Sequence, residues 1–198
     1  MTNRTNPQPA WTPSGDLTAK ARIRNTALDL YAKHGEDRIS LRAIASEAGV
    51  AVGLVQHHFK TKAGLRNAVD QLVVDYFAGA LAEVPSDAST SVRDNAVRDM
   101  LRANPTVVDY VRRALLQPNV ADSHLVDVIV DLTQREVRAA RKTGRASTTR
   151  RESTQVVVVL ARQMGELLLA PMVDAVWERV APETNPPRLR VTVDEADS

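Results

Sequence analysis

Apolar residues between positions 23 and 84 recur in the rhythm of short helices punctuated by glycine. Ile23, Ala27, Leu30 and Tyr31 fall at i, i+4, i+7 and i+8, which predicts one amphipathic helix. Gly35 follows as its C-cap, where a left-handed residue ends a helix with least strain. Ser40 stands at the N-cap of a second helix that turns Leu41, Ile44, Ala45 and Ala48 inward. Gly49 makes a turn and Val50 plugs it. Ala51 to His57 form a third, very short helix, and Phe59 closes the small core. Thr61 caps a fourth helix with Lys62 in its first turn. That helix runs from Ala63 to about Val84, where Pro85 stops it, with Leu65, Val69, Leu72, Val73, Tyr76, Phe77 and Leu81 on one wide face.

The helical rhythm continues to residue 180. Val92, Ala96 and Met100 predict a helix ending near Ala103. Pro105 restarts the chain at a first-turn position, and a helix follows from Val107 to Leu116. Asp122 or Ser123 caps the next, which carries Leu125, Val128, Ile129 and Leu132 and stops at Gly144. The valines 156 to 159 alone read as a buried strand. Their neighbours Ala161-Arg162-Gln163-Met164 are helix formers and predict a helix over 153–170. Pro171 starts or kinks a further helix through Val173, Val176, Trp177 and Val180. The two ends are Pro-containing and aperiodic, so both are expected to be disordered. Trp11 has no helical neighbours to pack with, and Arg188 to Val193 alternates as a stray strand would. The expected fold is all-α. A flexible arm (1–17) precedes a three-helix head (18–66), a larger helical domain (67–181) and a tail (182–198).

Composition narrows the chemistry. The 198 residues contain no cysteine, which removes disulfides, thiolate metal sites and thiol nucleophiles. No uninterrupted run of 18 apolar residues occurs, so no membrane span is expected. The N-terminus has no apolar signal segment, and a cytoplasmic protein is expected. The net charge of +2 hides an asymmetry. Residues 1–66 hold ten Lys/Arg against five Asp/Glu, and residues 67–198 hold sixteen against nineteen. A basic front suits contact with phosphate. Lys20, Arg22 and Arg24 either reach a groove of DNA or simply begin a solvated helix. The adjacent His57 and His58 do not share a helix face, and nothing completes a metal site around them. Asp127, Asp131 and Arg135 have the spacing of a surface charge row. No catalytic motif and no cofactor motif is present.

The stretch Ile23–Leu65 resembles the DNA-binding domain of TetR-family transcriptional regulators. That family writes its third helix as Gly-Val-Ser-x-Gly-x-Leu-Tyr-x-His-Phe. Here Gly49, Val50, Gly53, His58 and Phe59 agree, while Ala51 replaces the Ser and Gln56 the Tyr. A helix-turn-helix lays its second helix in the major groove. Gln56 and His57 are then the candidates for base or phosphate contact. Ala51, Val52 and Val55 are candidates for thymine methyls, and Gly53 for close approach. Arg42, facing out of the preceding helix, reaches a base edge or a phosphate. Ser40 and His58 lie near the DNA backbone in the family, although His58 fits a core or capping role as well. Lys62 is a phosphate contact if DNA lies close and a solvated lysine otherwise.

The same resemblance implies a rear domain that binds small effectors and a two-fold dimer built on the last two helices. Candidate effector contacts are Met100, Leu101, Tyr110, Arg113, Gln117, Val128, Leu132 and Met164. Candidate interface residues are Val157, Leu160, Met164, Leu168, Val173, Val176 and Trp177, with Gly165 permitting close backbone approach. The expected function is that of a dimeric regulator on a palindromic DNA duplex, a repressor released by a small molecule. An activator of the same fold and an all-helical enzyme are the alternatives.

Overall fold

Each turn in the first 65 residues has a local chemical cause, and the computed structural model shows most of them in place. It describes residues 19–117, 120, 123–181, 189 and 191–193. Trp11 and the arm, the Asp122 cap and most of the C-terminal tail lie outside the described residues. Helix α1 (Ala19–His34) ends at Gly35, whose φ of 82° lets its N–H reach Tyr31 O at 2.9 Å. A 3₁₀ turn (Glu36–Arg38) leads to Ser40, whose Oγ accepts the Ala43 N–H at 3.1 Å and so caps α2 (Leu41–Glu47). Gly49, at φ 65°, reverses the chain into α3 (Val52–Phe59). Helix α4 (Lys62–Ala82) begins at Thr61, whose hydroxyl accepts the Gly64 N–H at 2.9 Å.

Helix α3 extends two residues beyond the predicted His57, because the Lys60 N–H still bonds to Gln56 O at 2.9 Å. The corner that follows is unusually tight. Lys60 takes φ 65° and ψ −57°, and the Thr61 N–H donates to Phe59 O at 2.7 Å. These are the marks of a γ-turn of the strained hand. The Phe59 carbonyl is thereby folded over the first turn of α4. A Cβ on Gly64 would lie 2.2 Å from that oxygen, so residue 64 has to be glycine.

The core of the head is Ile23, Ala27, Tyr31, Ile44, Ala45, Val55 and Leu65, each no more than 1% exposed. Burying an Ile, Leu or Val of this kind contributes about 1.5–3 kcal/mol. On α1 the buried leucine is Leu28, while the predicted Leu30 is only half-buried. The inward stripe there runs through 23, 27, 28, 31 and 32, and Leu30 sits at its edge.

After α4 come α5 (Thr90–Ala103), α6 (Pro105–Leu115), α7 (His124–Lys142) and α8 (Glu152–Val180). There is no strand among the described residues. The chain forms two compact units, Met1–Leu125 and Val126–Ser198. Helices α4, α5 and α6 fall in the first unit together with the head. The reason is that α6 packs along α1, burying Val107, Tyr110 and Val111.

In the second unit, Gly144 (φ 71°) ends α7 and Arg141 organises the loop that follows. Its Nη1 donates to the carbonyls of Ser147 (3.2 Å) and Arg150 (2.9 Å) and to Gln155 Oε1 (3.1 Å). Arg138 pairs with Glu152 at 2.7 Å, tying α7 to the start of α8. Helix α8 is one continuous 29-residue element with Pro171 inside it. The expected pair of terminal helices is therefore a single helix. At Gly165 a Cβ would meet Cγ2 of Val191 at 2.6 Å. The close approach it permits is to the chain's own C-terminal segment.

Candidate nucleic-acid interface

The exposed face of the helix-turn-helix is short and mixed in chemistry. Arg42 on α2 is exposed. Ala51, at the N-cap of α3, is exposed, as are Gly53, Gln56 and His57 on the helix, and Val52 and His58 are half-buried. His57 and His58 sit edge to face with ring centroids 5.4 Å apart, and His58 similarly meets Phe59 at 6.2 Å. Lys62 stands half-buried in the first turn of α4, where its charge acts on Glu36. Lys60, which sequence reasoning passed over, is exposed between the two helices. Its position directly after the third helix was the available signal.

Val55 does not belong to this face. It is 0% exposed, turned into the head's core. A helix of eight residues has room for one inward stripe, and Val55 with Phe59 at i+4 forms it. The expectation that Val55 touches a thymine methyl is therefore corrected. Arg22 is likewise structural, since its Nε donates to Ala48 O at 3.2 Å and so caps the end of α2.

Behind this face the first unit holds a polar cleft of about 510 Å³. It lies among the end of α1, the 3₁₀ turn, α4 and α6. Asp70, 1% exposed, is its central group. The Tyr110 hydroxyl donates to Asp70 Oδ1 at 2.6 Å, and His124 Nδ1 lies 3.3 Å from Oδ2. Burial pushes the Asp70 carboxyl above its ordinary range, against the opposing pull of Tyr110, His124 and Arg66. Burial likewise raises Glu36, which faces Arg66 Nη1 at 3.6 Å. Arg113 of α6 reaches across to α1 and donates to Ala32 O at 2.6 Å and Lys33 O at 3.1 Å.

Of the predicted effector contacts, Tyr110, Arg113 and Gln117 line this one cleft. Met100 and Leu101 are half-buried on α5 and do not line it. Val128, Leu132 and Met164 belong to the second unit. The group that organises the cleft, Asp70 with Tyr31, Glu36 and Arg66, was missed from sequence. A carboxylate on the apolar face of the fourth helix was the signal for it.

On α8 the proposed interface residues differ in exposure. Val157 and Val176 are 54% and 52% exposed, while Leu160, Met164, Leu168, Val173 and Trp177 are half-buried. Leu169, Met172 and Val180 extend the exposed apolar surface. By length and composition α8 also qualifies as a membrane span, with a mean hydropathy of 1.7 over 18 residues. The sequence reading excluded a span because charged residues interrupt the run, and Arg162 and Glu166 do stand in the middle of this helix.

Comparison with known proteins bears on both units. Residues 23–69 fit the profile of the bacterial regulatory proteins of the tetR family. The chain is 32% identical to an HTH-type transcriptional repressor of Mycobacterium tuberculosis over 164 residues, 81% of this chain and 78% of the relative. It is 43% identical to the HTH-type transcriptional regulatory protein RaaS of the same species over 82 residues, 41% of this chain and only 35% of that protein. A crystal structure of a transcriptional regulator from Rhodococcus superposes with a TM-score of 0.61 at 22% identity, covering 81% of this chain and 87% of the other. The multidrug binding protein EbrR, complexed with imidazole, superposes with a TM-score of 0.59 at 21% identity, covering 80% and 82%. The two superpositions carry the all-α fold.

Proposed function

The chain belongs to the tetR family of bacterial regulatory proteins, and from that premise we propose that it is a homodimeric repressor released from a palindromic operator by a small molecule. As a family member it is a DNA-binding transcriptional regulator and not an enzyme. The observation that carries the finer reading is the exposed third helix, set between an Oγ-capped α2 and an Oγ-capped α4. Such caps hold the reading helix at a fixed angle, and eight residues can read only a few base pairs. Two heads on a dyad double that readout, with half-sites about 34 Å apart on one face of the duplex. The apolar residues left exposed on α8 support a partner of the same kind.

In this reading Gln56 and His57 touch base edges, with Ala51, Val52 and Gly53 close to the groove floor. Arg42, Ser40, His58 and Lys62 hold the phosphate backbone, which fixes register without reading sequence. The protein works in the cytoplasm, where its operator lies. Repression is supported by the name of the relative that aligns over most of the chain. Release by a small molecule is supported by EbrR, a multidrug binding protein of the same fold. Release requires a ligand that binds the DNA-free form better than the DNA-bound form. The lever is α4, whose first turn carries Lys62 and whose middle carries Asp70, held by Tyr110 of α6.

Selection of duplexes from a random pool tests this directly. Two half-sites related by a dyad are expected, bound by a dimer in sedimentation. A single half-site bound by a monomer overturns the reading. Lys62→Ala should weaken binding to every sequence alike and lower the salt slope by about one. An unchanged slope would remove Lys62 from the phosphate backbone.

A further inference from the structure

The passage from α7 into α8 concentrates positive charge. Residues 138–151 hold six Lys or Arg and no Asp or Glu, while the rest of residues 126–198 hold five against eleven. Arg138, Lys142, Arg150 and Arg151 are exposed. Arg138 is engaged by Glu152, and Arg141 by the loop carbonyls that it gathers. Those bonds fix the loop backbone, so its cations are held together rather than left to spread apart. Arg151 stands at the N-cap of α8 and supplies no capping acceptor there. Cations at a helix N-terminus add to the partial positive charge of that end, which is unfavourable unless an anion lies close. Glu152 is the one acid in that first turn, and Arg138 already holds it.

The same chain carries the complementary charge in Asp194, Glu195 and Asp197. Val191 comes after the end of α8, yet it lies against Gly165 in the middle of that helix, so by Val191 the chain has returned along α8. Leu189, Val191 and Val193 are half-buried and Thr192 is exposed, the alternation of an extended segment with one face on a surface. From Gly165 back to Arg151, α8 covers about 21 Å at 1.5 Å per residue. From Val191 to Asp197 an extended chain covers about 20 Å at 3.3 Å per residue. An acidic stretch that continues in the same direction therefore arrives at the cations of the loop. We infer that Asp194, Glu195 and Asp197 dock on the basic α7–α8 loop of their own chain and shield it from phosphate. Shielding matters in a DNA-binding protein. Phosphate contacts carry no sequence information, so a second open basic surface would hold DNA of any sequence and dilute the advantage of the operator.

The chain has no cysteine, so Ser198→Cys places a nitroxide at one position of the full-length protein. The readout is broadening of the Lys142, Arg145, Arg150 and Arg151 amide resonances in dilute buffer. Chains carrying both isotope and nitroxide, diluted in excess unlabelled chain, report contact within one chain. Isotope-only chains mixed with nitroxide-only chains report contact between copies. Broadening is expected in the first sample and not in the second. It should fall when Asp194→Asn, Glu195→Gln and Asp197→Asn are combined, and also in about 1 M salt, where charges are screened beyond about 3 Å. Broadening in the second sample alone would give the loop to the tail of another copy, and no broadening in either would remove the docking. Broadening undiminished by neutralisation or by salt would overturn its electrostatic basis. A short duplex of unrelated sequence is then added to each protein. It should shift the loop resonances of the neutralised variant and leave those of the parent in place. Equal shifts in both, or none in either, would overturn the shielding.

Discussion

Replacing Arg113 by Met should loosen the end of α1 from a distance of eighty residues. The last carbonyls of any helix lack intrahelical donors. In α1, Tyr31 O receives the Gly35 N–H, while Ala32 O and Lys33 O receive Arg113. A hydrogen bond from a charged donor has a net worth of about 1.5–3 kcal/mol when shielded from water. Arg113 is exposed and one of its two bonds is solvent-facing, so we discount to about 1 kcal/mol each. Met keeps much of the aliphatic stem, which isolates the guanidinium. The expected loss is about 2 kcal/mol, or roughly 4–8 °C in Tm for a chain of this size. Thermal unfolding measures the total, and hydrogen exchange at the Gly35 amide reports the local loosening. Arg113→Lys should recover only the attraction of a cation to a helix C-terminus, about 0.3–1 kcal/mol. A Met variant that melts with the parent, or a Lys variant that restores everything, would refute the two-carbonyl account.

Three further outcomes are expected. Val55→Ala should cost about 2 kcal/mol in urea unfolding through lost burial and a cavity; an unchanged stability with altered sequence preference would return Val55 to the DNA face. Joint replacement of Val157 and Val176 by Glu should give a folded monomer in sedimentation, and a persisting dimer would place the interface elsewhere. The Asp70 carboxyl is raised by burial, so its contribution to stability is full below the unfolded value of about 3.9 and is lost as pH rises through the folded one. Asp70→Asn should therefore gain on the parent as pH rises from about 4, and parallel stability–pH curves would contradict this.

The head was legible because its boundaries are set within a few residues of themselves. Gly35, Ser40, Gly49 and Thr61 act on donors and acceptors at most five positions away. The cleft was not legible for the opposite reason. Asp70 finds Tyr110 and His124 at separations of 40 and 54 residues, and until they are placed it looks like a charge intruding on an apolar stripe. Tyr110, Arg113 and Gln117 were picked out, but nothing local said that they share a cleft with α1. Pro171 misled because proline reads alike in a first turn and in a helix interior. Interior proline costs about 3 kcal/mol against Ala, which the helix formers on both sides absorb. Val55 was misassigned because a short helix offers too few residues for its inward stripe to declare itself.

The γ-turn at Lys60 has a consequence for how this protein can change. A non-glycine residue in such backbone costs of order 1–3 kcal/mol and persists only where its surroundings over-determine it. Here they do, since Phe59 is buried on one side and Gly64 leaves no slack on the other. Lys60→Gly would relieve the strain and gain stability, and would also widen the range of angles between reading helix and carrier helix. A selection for heat resistance alone would find that substitution early, whereas a selection for operator discrimination would discard it. The two properties part at one residue, where the observed backbone trades stability for a fixed angle between the two helices.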